Sequence, residues 1–230
     1  VQEPSQTPAG LPITNLTSGL PPTVRVTDKY TNVIDAEAVT VALTPTNSFA
    51  SGSVTNATTG TNGEAVFTNL AITNAFSPYR LAFTADGASN SSRQFAVVAG
   101  DPTEVLVHTE PQTTIAGRKL VGPPTAQLTD DYGNPVYQTT VFATLQSGTN
   151  GTNFVASSTT NGLTDTDGLM VFSNLVINDA GTNYSITFVA DVGDYPSTNT
   201  TTFAVVPDLT NAVITVTNQP SNSIAGSIIP

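Results

Sequence analysis

Short apolar runs that alternate with polar residues recur along the whole chain. Val39, Val41 and Leu43 are separated by small or polar residues, and the same alternation returns at residues 184–190. A period of two is typical of an antiparallel strand with one buried face. Clusters of Asp, Asn, Gly and Pro separate the runs, as turns require. No convincing helical stripe is present, so the pattern predicts an all-β fold.

The chain repeats itself with a period of slightly more than one hundred residues. Glu3–Gly10 recurs as Glu110–Gly117 at an offset of 107, and a third time as Gln219–Gly226, a further 109 residues on. Interior blocks agree as well, since Gly63–Ile72 matches Gly168–Ile177 at an offset of 105. Offsets change between blocks while each block keeps its spacing, so insertions fall in loops. About seven short strands in each unit predict an immunoglobulin-like β-sandwich.

The repeats predict two tandem immunoglobulin-like domains. The expected division is 1–100 for the first domain, 101–207 for the second, and 208–230 for the start of a further repeat or a donated strand. The linkers at Asp101-Pro102 and Val206-Pro207 are short and contain proline, which restricts bending. We therefore expect the pair to form an extended rod.

The repeated blocks resemble a known family. An Ala-Gly pair is followed by an apolar strand that ends in Thr129-Asp130, by Gly133-Asn134-Pro135-Val136, and by Asp165–Phe172 and Tyr184–Phe188. This order is similar to bacterial immunoglobulin-like repeats of large adhesins and invasin-type stalks. The resemblance implies a sandwich architecture and a surface location, and it carries no catalytic residue. The first unit departs from the pattern at residues 29–34, which predicts a looser turn there.

The two ends of the chain show complementary patterns. The second unit begins with an alternating apolar segment, Thr103–His108, and no equivalent segment precedes Gln2. Near the other end, Asn211–Val216 has the same alternation with no complete unit after it. One interpretation is a window from a longer repeat array. The other is that this segment inserts into the first domain of a second copy, with Val213, Ile214 and Val216 as the donated apolar residues.

Charge and composition exclude several classes of function. Six basic residues face 17 acidic ones, a net charge of −11, and such a surface repels nucleic acid and anionic lipid. No apolar run is long enough to insert into a membrane. Cysteine is absent and His108 is the one histidine, which leaves no thiolate chemistry and no usual transition-metal site. Neither a catalytic triad nor a phosphate-binding glycine loop is found, so we expect no enzyme.

Calcium is the one cofactor for which the sequence offers ligands. Two turns supply hard oxygen donors of the kind that Ca²⁺ prefers, although neither has the EF-hand spacing. The candidate ligands are Asp130, Asp131, Asn134, Asp165 and Asp167. A turn-capping role for the same side chains is the alternative.

Six Asn-X-Ser/Thr triplets fit the acceptor pattern for N-glycosylation, which would place the chain outside the cell. They begin at Asn15, Asn56, Asn90, Asn150, Asn183 and Asn199. A chain this rich in Asn and Thr also generates such triplets by chance.

Together these features predict a structural stalk, spacer or filament subunit at the cell surface, with neighbouring copies or repeats as partners. One alternative is a module that binds a glycan or a cell-surface ligand through loop aromatics, for which Tyr132 and Tyr195 are the candidates. Another is an accessory region of a secreted enzyme, since fold does not determine function.

Overall fold

Two β-sandwich domains follow one another in the computed structural model, which describes residues 2–146, 153–191, 196–210, 212–218 and 225. The described residues contain strands and turns and no helix, which confirms the prediction of an all-β fold. The strands of the first domain are β1 Thr7–Pro8, β2 Thr23–Arg25, β3 Ala38–Thr44, β4 Asn56–Thr58, β5 Glu64–Val66, β6 Phe76–Ala85, β7 Ala88–Ser91 and β8 Phe95–Val98. Those of the second are β9 Glu104–Thr109, β10 Thr114–Ile115, β11 Thr125–Thr129, β12 Thr140–Gln146, β13 Asn161–Leu163, β14 Leu169–Val171, β15 Gly181–Ala190, β16 Ser197–Asn199 and β17 Phe203–Val206.

The larger sheet has the same topology in both domains. Its order is β1-β8-β6-β3-β4 in the first domain and β10-β17-β15-β12-β13 in the second. In each, one short strand pairs in parallel with the last strand, β1 with β8 and β10 with β17. All other pairings are antiparallel, and β7 and β16 pair with the long strands β6 and β15. The two domains are therefore copies of one sandwich, as the internal repeat predicts.

The smaller sheet differs between the domains. In the second domain it has three strands in the order β14-β11-β9. In the first domain only β2 and β5 pair, and the single bridge between Gln2 and Thr23 lies at the position of the last β9–β11 pair, Thr109 with Thr125. Among the described residues, β9 thus has no counterpart beside β2.

Alternating side chains fill two separate hydrophobic cores. β3 and β12 bury every second residue, including Val39 and Val141. Aromatic pairs occupy matching positions, with Phe67 and Phe83 at 5.4 Å in the first core and Phe172 and Phe188 at 5.2 Å in the second. Because each core is lined by one domain's strands, each sandwich packs around its own interior.

Matching buried hydroxyl groups satisfy the backbone in both sandwiches. The hydroxyl of Thr59 donates to Ile34 O at 2.8 Å, and that of Thr164 donates to Val136 O at 2.7 Å. On the long strands, Tyr79 and Tyr184 donate to carbonyls five residues upstream, at 3.3 and 2.9 Å. A buried carbonyl without a partner costs free energy, so these hydroxyl groups stabilise the fold by donating to backbone carbonyls between the strands.

We predict that Phe188→Ala destabilises the second domain by about 3–5 kcal/mol, because Phe188 is fully buried and its removal leaves a cavity. Urea unfolding followed by a second-domain probe would measure this. Phe142→Ala on the adjacent strand β12 is the control, since Phe142 is 39% exposed. Equal losses from the two variants would contradict the assigned core.

Candidate assembly site

An open groove runs along the free edge of β2. It has a volume of about 240 Å³, and its walls come from β2 and the residues after it, from β6 and from β7. The lining includes Val24, Arg25, Val26, Thr27, Phe83 and Asn90. A smaller cavity of about 60 Å³ continues it towards Gln2 and Glu3. The two cavities together follow the line that a strand beside β2 would take.

The second domain shows what fills this position. There β9 pairs with β11 from Glu104 to Thr109 and packs against β15 and β16, the counterparts of β6 and β7. Val105 of β9 is buried, and Ala126 and Leu128 on the paired strand β11 are fully buried. The equivalent residues of the first domain, Val24 and Val26, stay partly exposed at the groove. The groove therefore lies beside β2 at the place that β9 takes beside β11.

The segment predicted to donate a strand is exposed and unpaired. Residues 212–218 have no strand pairing in the described part of the chain, and residue 211 of the strand predicted at 211–216 lies outside the described residues. Val213, Ile214 and Val216 are 85%, 94% and 61% exposed. When Ala116-Gly117 is aligned with Ala225-Gly226, Ile214 falls at Val105 and Val216 at Val107. These two side chains would lie on the groove-facing side, and Val213 on the other.

The turn Asp130–Asn134, hereafter the junction turn, joins the second domain to the first. Asp130 Oδ1 accepts hydrogen bonds from the N–H groups of Tyr132 and Asn134, both at 2.9 Å, and fixes the turn. Asp130 Oδ2 accepts one from Gly100 N at 2.9 Å. Asp130 and Asn134 are 4% and 6% exposed, so the two ends of the turn are buried while its tip, residues 131–133, is exposed.

Asn134 makes the contacts that cross to the body of the first domain. Its Nδ2 donates to Thr73 O at 2.8 Å, and its Oδ1 accepts from Ala75 N at 2.8 Å. Tyr132 packs on Gly10, where a Cβ atom would overlap the tyrosine ring. Gly10 has a φ of 77°, so a substituted side chain there is both strained and blocked.

The first domain carries the same turn at Asp28–Asn32, hereafter the free turn. Asp28 Oδ1 accepts from Tyr30 N and Asn32 N, both at 2.9 Å, and Asn32 Nδ2 donates to Asp28 Oδ2 at 2.9 Å. The prediction of a looser turn is therefore wrong, because the aspartate bonds replace the missing Gly-Asn-Pro-Val sequence. Thr31 takes the left-handed conformation of Gly133, with φ values of 71° and 77°.

The candidate calcium ligands lie in two separate turns. Asp130 and Asn134 belong to the junction turn, with Asp131 exposed beside them, while Asp165 Oδ1 accepts from Asp167 N and Leu169 N in another turn. Within the described ranges no three acidic or histidine side chains are grouped to hold a metal. These contacts are those of turn-capping carboxylates, and calcium binding stays a prediction.

The other candidate residues are distributed over the surface. Asn56, Asn90, Asn183 and Asn199 are exposed, whereas the Asn15 amide donates to Glu3 O at 3.0 Å; Asn150 lies outside the described residues. Glycosylation therefore stays a prediction. Of the two loop aromatics, Tyr132 contacts Gly10 and Tyr195 lies outside the described residues. Among the residues described, no helix is long and apolar enough to cross a membrane.

Sequence reasoning missed both halves of the junction. The receiving groups are largely backbone, namely Thr73 O, Ala75 N and Gly100 N, which have no residue signature. A signal for the turn was present, because Asp and Asn recur four residues apart at the same place in both units. In the sequence, the only indication of the groove is that the alternating segment Thr103–His108 of the second unit has no equivalent in the first unit.

Comparisons with known proteins give structural neighbours only. No protein-family model matches the chain, and no curated protein matches it. Solved structures that match include the D0-D1 domain of intimin, at 17% identity over 89% of this chain and 95% of that one, with a TM-score of 0.32. The Yersinia pseudotuberculosis adhesin InvE matches at 16% over 80% and 53%, with a TM-score of 0.35. Invasin, a bacterial integrin-binding protein, matches at 18% over 86% and 37%, with a TM-score of 0.37.

These neighbours are bacterial immunoglobulin-like adhesin domains, the class that the sequence blocks resemble. The chain spans about half of InvE and about a third of invasin. All three TM-scores lie below 0.5, so the description of the fold rests on this chain's own strand order and cores.

We predict that Asn134→Ala destabilises the molecule by about 2 kcal/mol more than Asn32→Ala, since only Asn134 bonds across the junction. Urea unfolding gives the difference, and small-angle scattering should show a broader distribution of interdomain distances for Asn134→Ala alone. Equal losses of stability in the two variants would contradict the assignment of Asn134 to the junction.

We also predict that acid loosens the junction through Asp130. Burial alone would raise the pKa of Asp130, but hydrogen bonds from Asn134, Gly100 and Tyr132 outweigh it and hold the pKa below its ordinary value of 3.8. A carboxylate with a lowered pKa stabilises the folded state above the unfolded-state pKa, and this contribution is lost as the pH falls through the folded value. Between neutral pH and about pH 3, the free energy of unfolding should decrease less for Asp130→Asn than for Asp131→Asn, because only the second variant keeps the Asp130 carboxylate. The same pH dependence in both variants would contradict the assignment.

Proposed function

We propose that this chain is a non-catalytic structural unit of an extracellular surface protein, which assembles head to tail by donating residues 212–217 into the β2 groove of a second copy. The observation that carries the proposal is the open groove beside β2, where the described residues of this chain place no strand, together with an exposed, β9-like segment after the second sandwich. A sheet edge with free backbone groups is a ready acceptor for an extended segment.

The chemistry of groove and segment is matched. The floor of the groove is apolar at Val24, Val26 and Phe83, and the donated face offers Ile214 and Val216. Burying a β-branched apolar side chain contributes about 1.5–3 kcal/mol, and the backbone hydrogen bonds to β2 would fix the register of the inserted strand. The segment contains no charged residue from 211 to 218, so it brings no ionised group of its own into the groove.

The proposed contact is heterologous, because the groove lies in the first domain and the segment follows the second. Such contacts repeat in one direction and need not close into a ring. The sparse charge and the surface rich in Thr, Asn and Ser suit a spacer more than a reactive site. Cell-surface location is part of the proposal, supported by the resemblance to adhesin repeats and the candidate sequons.

We predict that the 230-residue chain forms polymers at high concentration, and that Ile214→Asp prevents them, because a carboxylate would be buried in the apolar groove. Light scattering after size-exclusion chromatography and negative-stain electron microscopy would measure assembly. Val213→Asp is the matched control, since this side chain lies on the opposite side of the segment, and it should assemble far better.

Removal of residues 208–230 should abolish polymers as well. A synthetic peptide of residues 210–218 should bind the truncated chain, and Val26→Asp in the groove should prevent that binding while the second sandwich stays folded. Polymers that persist without residues 208–230 would overturn strand donation.

A further inference from the structure

The free turn at residues 28–32 has the form of the junction turn and is exposed. It repeats the two backbone bonds to the aspartate at 2.9 Å, and its side-chain amide donates to Asp28 Oδ2 at 2.9 Å as the Asn134 amide donates to Asp130 Oδ2 at 2.8 Å. Asn134 of the junction turn is 6% exposed, but Asn32 is exposed, and Tyr30 is 70% exposed. The asparagines show the largest difference, because Asn134 bonds to the first domain, whereas Tyr132 at the turn tip is still 52% exposed.

The second domain carries a copy of the surface that receives the junction turn. On the first domain that surface includes Gly10, on which Tyr132 packs, and the carbonyl of Thr73. The repeat places Gly117 and Asn178 at these two positions, at offsets of 107 and 105. Gly117 has a φ of 76°, matching the 77° of Gly10, and both Gly117 and Asn178 are exposed.

We infer that the free turn of one copy docks on this end of the second domain of another copy, with Tyr30 on Gly117 and the Asn32 amide donating to the Asn178 carbonyl. This inference rests on the proposed head-to-tail assembly and deepens it by naming a second contact. The partner is a second copy of this chain, because its second domain supplies the same glycine and the same carbonyl position that the junction turn already uses.

Chain continuity links this contact to strand donation. Within one chain, the residues after β8 pass directly into β9, and the junction turn docks beside that crossing. The residues after β17 lead in the same way to 212–217, so a strand donated to a second copy brings that copy's free turn to the end of the donor's second domain. The joint within a chain and the proposed joint between chains therefore have the same geometry.

The position of Gly100 differs in charge between the two joints. Gly100, whose N–H donates to Asp130, is replaced by Asp208 at an offset of 108. The Asp208 carboxylate lies 3.5 Å from the Arg118 guanidinium and accepts hydrogen bonds from Thr210, so it interacts with groups of its own chain. Since two aspartates would still approach each other here, Tyr30 and Asn32 are better test positions than Asp28.

The experiment measures association of the full 230-residue chain by sedimentation equilibrium, with Asn32→Ala and Tyr30→Ala as the variants. Loss of a desolvated hydrogen bond or a packed ring should weaken association about tenfold in each. Asn56→Ala and Tyr137→Ala are the matched controls at other exposed sites, and they should associate like the unsubstituted chain. Circular dichroism and urea unfolding should show that each variant remains folded.

A second measurement separates this inference from the proposed function. Binding of the 210–218 peptide to the chain lacking residues 208–230 reports on the groove alone, and Asn32→Ala should leave it unchanged. Peptide binding together with wild-type association of both turn variants would overturn the docking of the free turn and leave strand donation standing. Absence of both peptide binding and chain association would overturn the two together.

Discussion

An edge strand of an antiparallel sheet offers unpaired backbone groups to a further strand, and the two domains differ most at this edge. In the second domain β9 covers the edge of β11, and Ala126 and Leu128 become fully buried. In the first domain the same edge faces an open groove, and Val24 and Val26 remain partly exposed. Nothing else separates the two sandwiches so clearly, since the larger sheet, the aromatic pairs and the buried hydroxyl groups all match.

The turns that connect strands have a second use at the domain ends. An aspartate that accepts two backbone N–H groups fixes the loop without help from another domain, as Asp28 shows. Once fixed, the loop presents an amide and an aromatic ring in a set direction, and Asn134 and Tyr132 use them against the first domain. A rigid loop loses little conformational entropy on docking, which makes a small contact effective.

The sequence predicted the features that depend on period and repetition. Alternation at Val39, Val41 and Leu43 placed these residues in the core, and all three are buried. The repeat predicted two similar sandwiches, and the strand orders agree. The division at residues 100 and 207, the calcium ligands and the glycosylation sites stay predictions. What the sequence could not show was the junction, because Thr73, Ala75 and Gly100 take part through backbone atoms that any residue possesses.

The looser turn predicted for the first domain was wrong for a related reason. The prediction gave weight to the Gly-Asn-Pro-Val sequence, whereas the structure depends on the aspartate that precedes it and the asparagine four residues later. Thr31 accepts a φ of 71°, which is unfavourable for a β-branched residue, in order to keep the turn. Strain of this kind persists where the surrounding contacts determine the backbone.

The repeat also bears on the order of assembly. A contact that joins the end of one unit to the start of the next is directional, so identical contacts add up along a line. In the proposed assembly, the segment after β17 lies beside β2 of the next copy as β9 lies beside β11. The free turn of that copy then docks on the donor's second domain, as the junction turn docks on the first domain. Two weak contacts that form at the same joint act at a high effective concentration, because one holds the other in place. A strand with two groove-facing side chains and a turn with one amide could therefore make a stable joint that neither would make alone.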